Sequence, residues 1–570
     1  MTAGTPRDGA AALAAALAEL GVRVVFAVPG TQTLRPHDTL RSSGVRTVVP
    51  RHELAGSFMA GAYYRASGDP GTLITIGGPG FTYALTGLAQ ARFDSAALVA
   101  IVCRAPVLVG RRFQVQAMDE LAVAAPIVKQ TFHVTDPAAV AETLGQAYTA
   151  ACGGEPGPVV VALEAAALSG ALTAPPAPRH PSPPAEDPAA VRELASAVMG
   201  ARRIVVIAGQ GSHGAAADVR VLVERLGALV VTTTSGRGTV REDHALALGD
   251  VHGCDLAALN ALLAEADLVL GLGAKFGDSG TAGFRLRVPP DRFAHVDTSA
   301  EVLGANYPAA VAVRGDVGTV VRGLLAALHD EPGGRWGWPA EDLATRRSRI
   351  ARRWDDAATE PVLAADPARR AEAFFGELRS RLPDDAIITT DSGLHQELAR
   401  RYLPILAPRG LMVPTGFQSM GCGIPAAIGA RLAAPDRPVL AIVGDGGFQM
   451  AGMETLTAVA ERVPLTVCIL TDGYLGLIRM QQIEAFGRTA DVAVPPCRLE
   501  EFAAAVGASY VRVGGDVRGC LSAVSLESGV NLVDVPLRDS AATYRYRATR
   551  FAKRVLPGRI LEMAKQLLGR

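Results

Sequence analysis

Short apolar runs, most of them rich in valine or isoleucine, alternate along this chain with longer segments of helical periodicity. In the first third the runs lie at 24–27, 47–49, 72–76, 98–102 and 159–163, with helical patterns at 10–20, 54–65 and 84–91 between them. Strands that are apolar on both faces and separated by helices belong to parallel sheets covered on both sides. Seven prolines between 175 and 188 then break the rhythm and predict a surface linker. The alternation returns at 204–207, 229–232, 268–270 and 293–296, and again at 386–390, 439–443, 465–470 and 531–535. Between these two blocks, 331–366 reads as a connector pinned to its neighbours by Trp336, Trp338 and Trp354. The pattern predicts an α/β protein of three doubly wound parallel-sheet domains, at 1–172, 189–330 and 369–540, followed by a tail at 541–570. That tail carries eight Lys or Arg residues against Glu562 alone, which predicts a solvated basic helix or an anion-contacting lid.

Composition narrows the function class. The 570 residues are 49% hydrophobic and 20% charged, with a formal net charge of zero. Nothing in this balance steers the chain towards nucleic acid. No run approaches the length of a membrane span, and the first segment reads as a helix, not a signal core. Seven cysteines are scattered without CxxC spacing, as expected of reduced thiols in a cytoplasmic protein.

The chemistry concentrates at 444–476. There an apolar run ends in Gly444-Asp445-Gly446-Gly447, a helix is predicted over 450–462, and a second run ends in Thr471-Asp472-Gly473-Tyr474. Parallel strands of one unit finish at the same sheet edge, so Asp445 and Asp472, 27 residues apart, can converge. Two carboxylates beside glycine turns and a helix N-terminus suit a divalent cation carrying a phosphate group, with two ordinary loop aspartates as the plainer reading. A second glycine pattern, Gly209-Gln210-Gly211-Ser212-His213-Gly214, follows a predicted strand. It suits a dinucleotide turn, but the next strand ends in Thr233-Thr234-Ser235, without the acid that would hold a ribose. A tight strand-to-helix turn is the simpler expectation there.

GDG followed, after a spacer, by the Thr471-Asp472 pair resembles the signature of thiamine-diphosphate-dependent enzymes. Other segments are similar to the acetolactate synthase-like branch of that family, in order along the chain. They are Ala27-Val28-Pro29-Gly30, Pro50-Arg51-His52-Glu53, Gly77-Gly78-Pro79-Gly80-Phe81-Thr82, Asp391-Ser392-Gly393-Leu394-His395-Gln396 and the glycine-rich stretch from Gly416 to Ala427. The resemblance implies pyrimidine-binding, central and diphosphate-binding domains in that order. It implies that Glu53 holds a proton at the aminopyrimidine, in a buried setting that favours the protonated carboxyl. Met420 would wedge between the cofactor rings, and Asp445, Asp472 and the Tyr474 carbonyl would bind Mg²⁺. Pro29, Gly30, Gly78, Gly393, Gln418, Gly446, Gly447, Leu475 and Gly476 would complete the cofactor cradle. Gln116 and His395 would act near the reacting carbon, and Thr31, Phe81, Lys129 and Gln481 would line the substrate pocket. FAD or ADP in the central domain is a further possibility of the family, although Lys275 stands where its flavin-binding members have arginine. Because Glu53 and Asp445 lie in separate domains, the resemblance also implies a homodimer, or a homotetramer built from it, whose subunits share each site.

The chain departs from the family pattern at two positions. Asp472 stands where an asparagine is usual, which keeps an oxygen ligand and adds charge. Gln481 replaces the tryptophan that in acetolactate synthases helps to select the acceptor. The resemblance implies decarboxylation of a 2-oxo acid, pyruvate favoured, with carboligation to a second carbonyl. Release of an aldehyde, or cleavage of a 2-hydroxyacyl-CoA or oxalyl-CoA, are the alternatives, and a non-catalytic homologue is the remaining one.

Overall fold

The computed structural model describes residues 8–172, 188–331, 334–351, 362–364 and 371–538. The basic tail, nearly all of the proline-rich linker and Trp354 lie outside these residues. Three α/β units are present, each built on its own sheet. The first sheet runs from edge to edge as Arg46–Val48, Val24–Ala27, Gly71–Ile76, Leu98–Cys103, Pro158–Leu163 and Gln130–Val134, all parallel. The middle sheet has six parallel strands in the order Val311–Arg314, Phe293–Asp297, Leu268–Leu272, Ile204–Ala208, Leu229–Thr232 and Ala247–Asp250. In the third, Leu411–Met412, Ile387–Thr390, Val439–Gly444, Leu465–Thr471, Val530–Arg538 and Ser509–Arg512 are parallel. Val362–Leu363 adds one antiparallel edge strand, which the all-parallel expectation did not include.

Every strand expected from an apolar run is present. Among the strands that the pattern missed, Gln130–Val134 and Ser509–Arg512 are exposed or half-buried edge strands that carry polar residues. The single helix expected over 450–462 is two, Asp445–Ala451 and Glu454–Ala460, broken at Gly452-Met453. Asp445 is thus itself the first helical residue after the strand.

In each sheet the chain leaves its first strand in one direction and returns on the other side. The gap between those two strands is where open α/β sheets take ligands. It falls between Val24–Ala27 and Gly71–Ile76 in the first unit, and between Ile387–Thr390 and Val439–Gly444 in the third. These two units share one apolar core, in which the Glu53–Ser67 helix packs on Gly423–Ala433. The contact is backbone-close, since a Cβ on Gly429 would lie 2.1 Å from the Met59 carbonyl oxygen. Trp336 and Trp338 are buried against the middle unit, with their indole N–H groups donating to the carbonyls of Val198 and Ile204.

Candidate functional site

At the strand gap of the third sheet lies a cavity of about 210 Å³. Gly444 pairs in register with Leu470, so Asp445 and Asp472 leave neighbouring strands at the same edge. The two loops are tied together: the Gly473 N–H donates to Asp445 Oδ2 at 2.8 Å, and the Tyr474 N–H to Asp472 Oδ1 at 3.0 Å. Leu475 donates to the Val492 carbonyl and Val494 to that of Gly473, so the Gly473–Leu475 turn is pinned from outside while neither bond uses the Tyr474 carbonyl. Burial raises the Asp445 carboxyl, against the N–H groups of Gly473 and Gly446 that lower it. A bound cation would reverse that burial effect. Among the described residues no three His, Cys, Asp or Glu side chains gather as a metal-ligand set. A cation on this carboxylate pair would therefore draw its other ligands from carbonyl, phosphate or water oxygens, which is the donor set of Mg²⁺ carrying a diphosphate.

The glycines around this pair have specific causes. A Cβ on Gly447 would fall 1.9 Å from Asp391 Oδ2, one on Gly446 2.8 Å from Leu475 Cδ2, and one on Gly476 2.6 Å from Asp472 Oδ2. Asp391 is buried, accepts the Gly423 N–H and has its pKa raised to about 6 by burial. It braces the start of the Gly423–Ala433 helix against the Asp445–Ala451 helix. Met420 projects into the cavity from the preceding turn, where Gln418 adopts a left-handed φ of 59°. Ser392 Oγ donates to Gln418 Oε1 at 3.0 Å, which closes that turn onto the strand end.

His395 also lines the cavity, nearly enclosed, with its Nε2 3.1 Å from the Asp391 carbonyl oxygen. Gly393 and Gly444 press on the ring, as a Cβ at either would come within 2.6 or 3.0 Å of it. Burial lowers its pKa to about 4, so the imidazole is neutral at physiological pH. The unfolded chain binds this proton below about 6.5, whereas the folded one does so only near 4. The contribution of His395 to stability is therefore complete above pH 6.5 and is lost as pH falls towards 4, by on the order of 3 kcal/mol. Urea unfolding of wild type and His395→Gln between pH 4 and 7.5 is expected to give a steeper acid decline for the wild type. Parallel curves would remove His395 as the source.

All the third-unit residues expected at the cofactor, from Gly393 to Gly476, line this one cavity. The first-unit residues gather elsewhere. Pro29, Gly30 and Thr31 follow Val24–Ala27, Gly78 follows Gly71–Ile76, and Gln116 touches both loops. Glu53 opens its helix behind His52, whose Nδ1 accepts the Leu54 N–H and caps it. Glu53 Oε1 lies 3.0 Å from where a Gly80 Cβ would stand, so that glycine makes room for the carboxyl. None of these residues lines the third-unit cavity.

Three pocket expectations need correction. Phe81 is fully buried in the core between the Glu53–Ser67 and Pro79–Phe93 helices and presents no surface to a ligand. Lys129 donates to the carbonyls of Ala150 and Gly153 at 2.6 and 2.7 Å, closing the end of the Val140–Cys152 helix. Gln481 lies exposed on the Gly476–Phe486 helix, beyond the last cavity residue on that helix, Ile478. The sequence reading had missed the apolar wall of Leu394, Leu398, Leu470, Leu477, Ile478 and Leu537, whose positions look like ordinary core.

The glycine pattern of the middle unit has a packing cause. A Cβ on Gly209 would lie 2.1 Å from the Gly273 carbonyl oxygen, and one on Gly211 2.9 Å from Gly273 Cα. Gln210 Nε2 donates to the Asp94 carbonyl, and Lys275 Nζ to that of Phe93 and to Glu155. This strand gap forms a seam against the first unit.

Three family models match the chain: thiamine pyrophosphate enzyme, N-terminal TPP binding domain, over residues 7–123; central domain over 191–324; and C-terminal TPP binding domain over 391–535. A probable acetolactate synthase large subunit of Methanocaldococcus jannaschii is 31% identical over 495 residues, covering 84% of this chain and 83% of its own length. A probable 2-ketoarginine decarboxylase of Pseudomonas aeruginosa is 34% identical over 478 residues, 82% of each chain. The acetolactate synthase isozyme 1 large subunit of Escherichia coli is 29% identical and covers 86% of each. No helix among the described residues is long and apolar enough to cross a membrane.

Proposed function

We propose a function from one premise: the chain belongs to the thiamine-diphosphate-dependent enzymes, in the acetolactate synthase and 2-oxo-acid decarboxylase branch. On that premise it decarboxylates a 2-oxo acid, pyruvate favoured, and joins the product to a second carbonyl compound. The observation that carries this reading is the convergence of Asp445, Asp472, Met420 and His395 on one cavity at the strand gap of the third sheet. Asp445, Asp472 and the Tyr474 carbonyl would hold Mg²⁺ and through it a diphosphate at the helix start. When bound, thiamine diphosphate supplies an acidic carbon and an electron sink for loss of CO₂. Glu53 would hold a proton at its carboxyl oxygen for the aminopyrimidine, and Met420 would set the fold of the cofactor. The neutral His395 can donate or accept one hydrogen bond at the reacting end, and the leucine wall around it excludes water.

Glu53 stands apart from the cavity within one chain, which supports a site completed by a second copy. In that arrangement the first unit of one subunit faces the third unit of its partner.

The second reading, release of an aldehyde without carboligation, is favoured by Gln481, which stands where acetolactate synthases carry the tryptophan that helps to select the acceptor. Incubation with thiamine diphosphate, Mg²⁺ and pyruvate, with and without added aldehydes or a second 2-oxo acid, separates the two by mass spectrometry of the products. A 2-hydroxy-2-methyl-3-oxo acid is the expected product; free aldehyde alone would move the assignment to the second reading. No turnover of any 2-oxo acid would overturn both.

A further inference from the structure

We propose that Glu120, locked by Arg104, is the positioning residue that assembles the first unit's half of the active site. This rests on the reading that Gly30, Gly78 and Gln116 face the reactants. Glu120 is 1% exposed, yet its two oxygens are divided between a loop and a cation. Oε1 accepts the Gly78 N–H at 3.2 Å, and Oε2 accepts from Arg104 Nε at 2.9 Å. Arg104 follows directly on the Leu98–Cys103 strand and holds a second loop, donating to the Met118 carbonyl at 2.9 Å. Its remaining nitrogen reaches Glu164 at 2.6 Å, which in turn meets His133 at 2.7 Å.

The consequence is a chain of contacts at one sheet edge. The place of a Cβ on Gly77 is taken by Glu120 Oε1, 2.7 Å away, so the Gly77-Gly78 turn closes directly on the carboxylate. Gly78, at a φ of +62°, turns its open side to Gln116, whose Cβ would be 3.0 Å from an added methyl. Gln116 is itself held at a φ of 59°, a conformation costly for a residue with a side chain unless its surroundings enforce it. Its Oε1 accepts from Gln32 Nε2 at 2.5 Å, in the turn that follows Gly30 and Thr31. Three loops from three strand ends are therefore set by one buried carboxylate. A half-buried guanidinium on the other side of Glu120 holds Oε2 and so fixes which oxygen faces Gly78.

A residue that acts through Gly78 on Gln116 must lose its influence when Gln116 is gone. Wild type, Glu120→Gln, Gln116→Ala and the double variant form a cycle that reads this directly. Glu120→Gln is expected to lower kcat/KM about 10- to 100-fold in the wild-type background and less than about 2-fold in the Gln116→Ala background. The same four proteins, titrated calorimetrically with thiamine diphosphate and Mg²⁺, give the coupling even if no 2-oxo acid is turned over, so failure of the functional reading does not hide the clamp. Equal effects in both backgrounds, in turnover and in cofactor affinity alike, would overturn the proposal. Should Glu120→Gln fold poorly because Arg104 loses one of its two carboxylate partners, Glu120→Gln with Arg104→Met removes both charges of that pair. That pair is expected to fold and to show the same loss and the same coupling; wild-type turnover and wild-type cofactor affinity in it would also overturn the assignment.

Discussion

Replacing Glu53 by glutamine is expected to leave thiamine diphosphate and Mg²⁺ bound while lowering kcat by about 10²- to 10⁴-fold. Glutamine keeps the size of the side chain and one hydrogen-bonding oxygen, so the fit beside Gly80 survives. It cannot take up and release a proton, and that exchange is the only property the substitution removes. Glu53 sits in the first turn of a helix capped by His52, on an element that packs along its length in the shared core of the first and third units. Its position is therefore insensitive to the change, and the loss reports chemistry and not placement. Steady-state turnover and NMR of hydrogen–deuterium exchange at the cofactor's C2 carbon provide the measurement. Undiminished exchange would sink the role given to this residue. Mixing Glu53→Gln subunits with Asp445→Ala subunits adds a second readout. If each site is built from two chains, one of the two sites in a mixed dimer is intact, and statistical exchange returns about a quarter of wild-type activity. No recovery after subunit exchange would place Glu53 and Asp445 in the same chain's site.

Asp445→Ala is expected to weaken Mg²⁺-dependent binding of thiamine diphosphate by at least about 100-fold, because it removes one of two carboxylates from a hard-cation site. The damage extends beyond the lost ligand, since Asp445 Oδ2 also accepts the Gly473 N–H and so ties the second metal loop to the first. Asp472→Asn is expected to change affinity by less than about tenfold, because an amide oxygen can still coordinate the cation and accept the Tyr474 N–H. Calorimetric titration with the cofactor at several Mg²⁺ concentrations distinguishes the two. An unaltered titration for Asp445→Ala would remove this residue from the metal site.

How far each part of the site could be read from sequence follows from the range of the forces that place it. Apolar runs near 24, 72, 204, 439 and 465 gave their strands because burial on both faces leaves a continuous hydrophobic signature. The edge strands Gln130–Val134 and Ser509–Arg512 carry no such signature, since water reaches one side of them. Asp445 and Asp472 could be paired in advance because parallel strands end at one edge, whatever surrounds them. Phe81, Lys129 and Gln481 could not be placed, because each choice was tertiary. Phe81 turned to the core between two helices, Lys129 found a helix end 21 to 24 positions away in sequence, and Gln481 lay beyond the cavity on the outer part of its helix.

The glycines divide in the same way. Gly447 looked like part of a phosphate cradle, and its room is in fact limited by Asp391, a carboxylate 56 positions earlier. Gly209 and Gly211 looked like a dinucleotide turn, and the backbone of Gly273 accounts for both. Sequence alone determined the three α/β units, the family and the meeting of Asp445 and Asp472 at one sheet edge, because these follow from local periodicity and from residue types at fixed spacing. Tertiary structure alone decided which of those residues share a cavity, that Glu53 stands apart from it, and that Glu120 and Arg104 hold the first unit's loops together. Side chains far apart in sequence meet only through packing, and packing has no short-range signature.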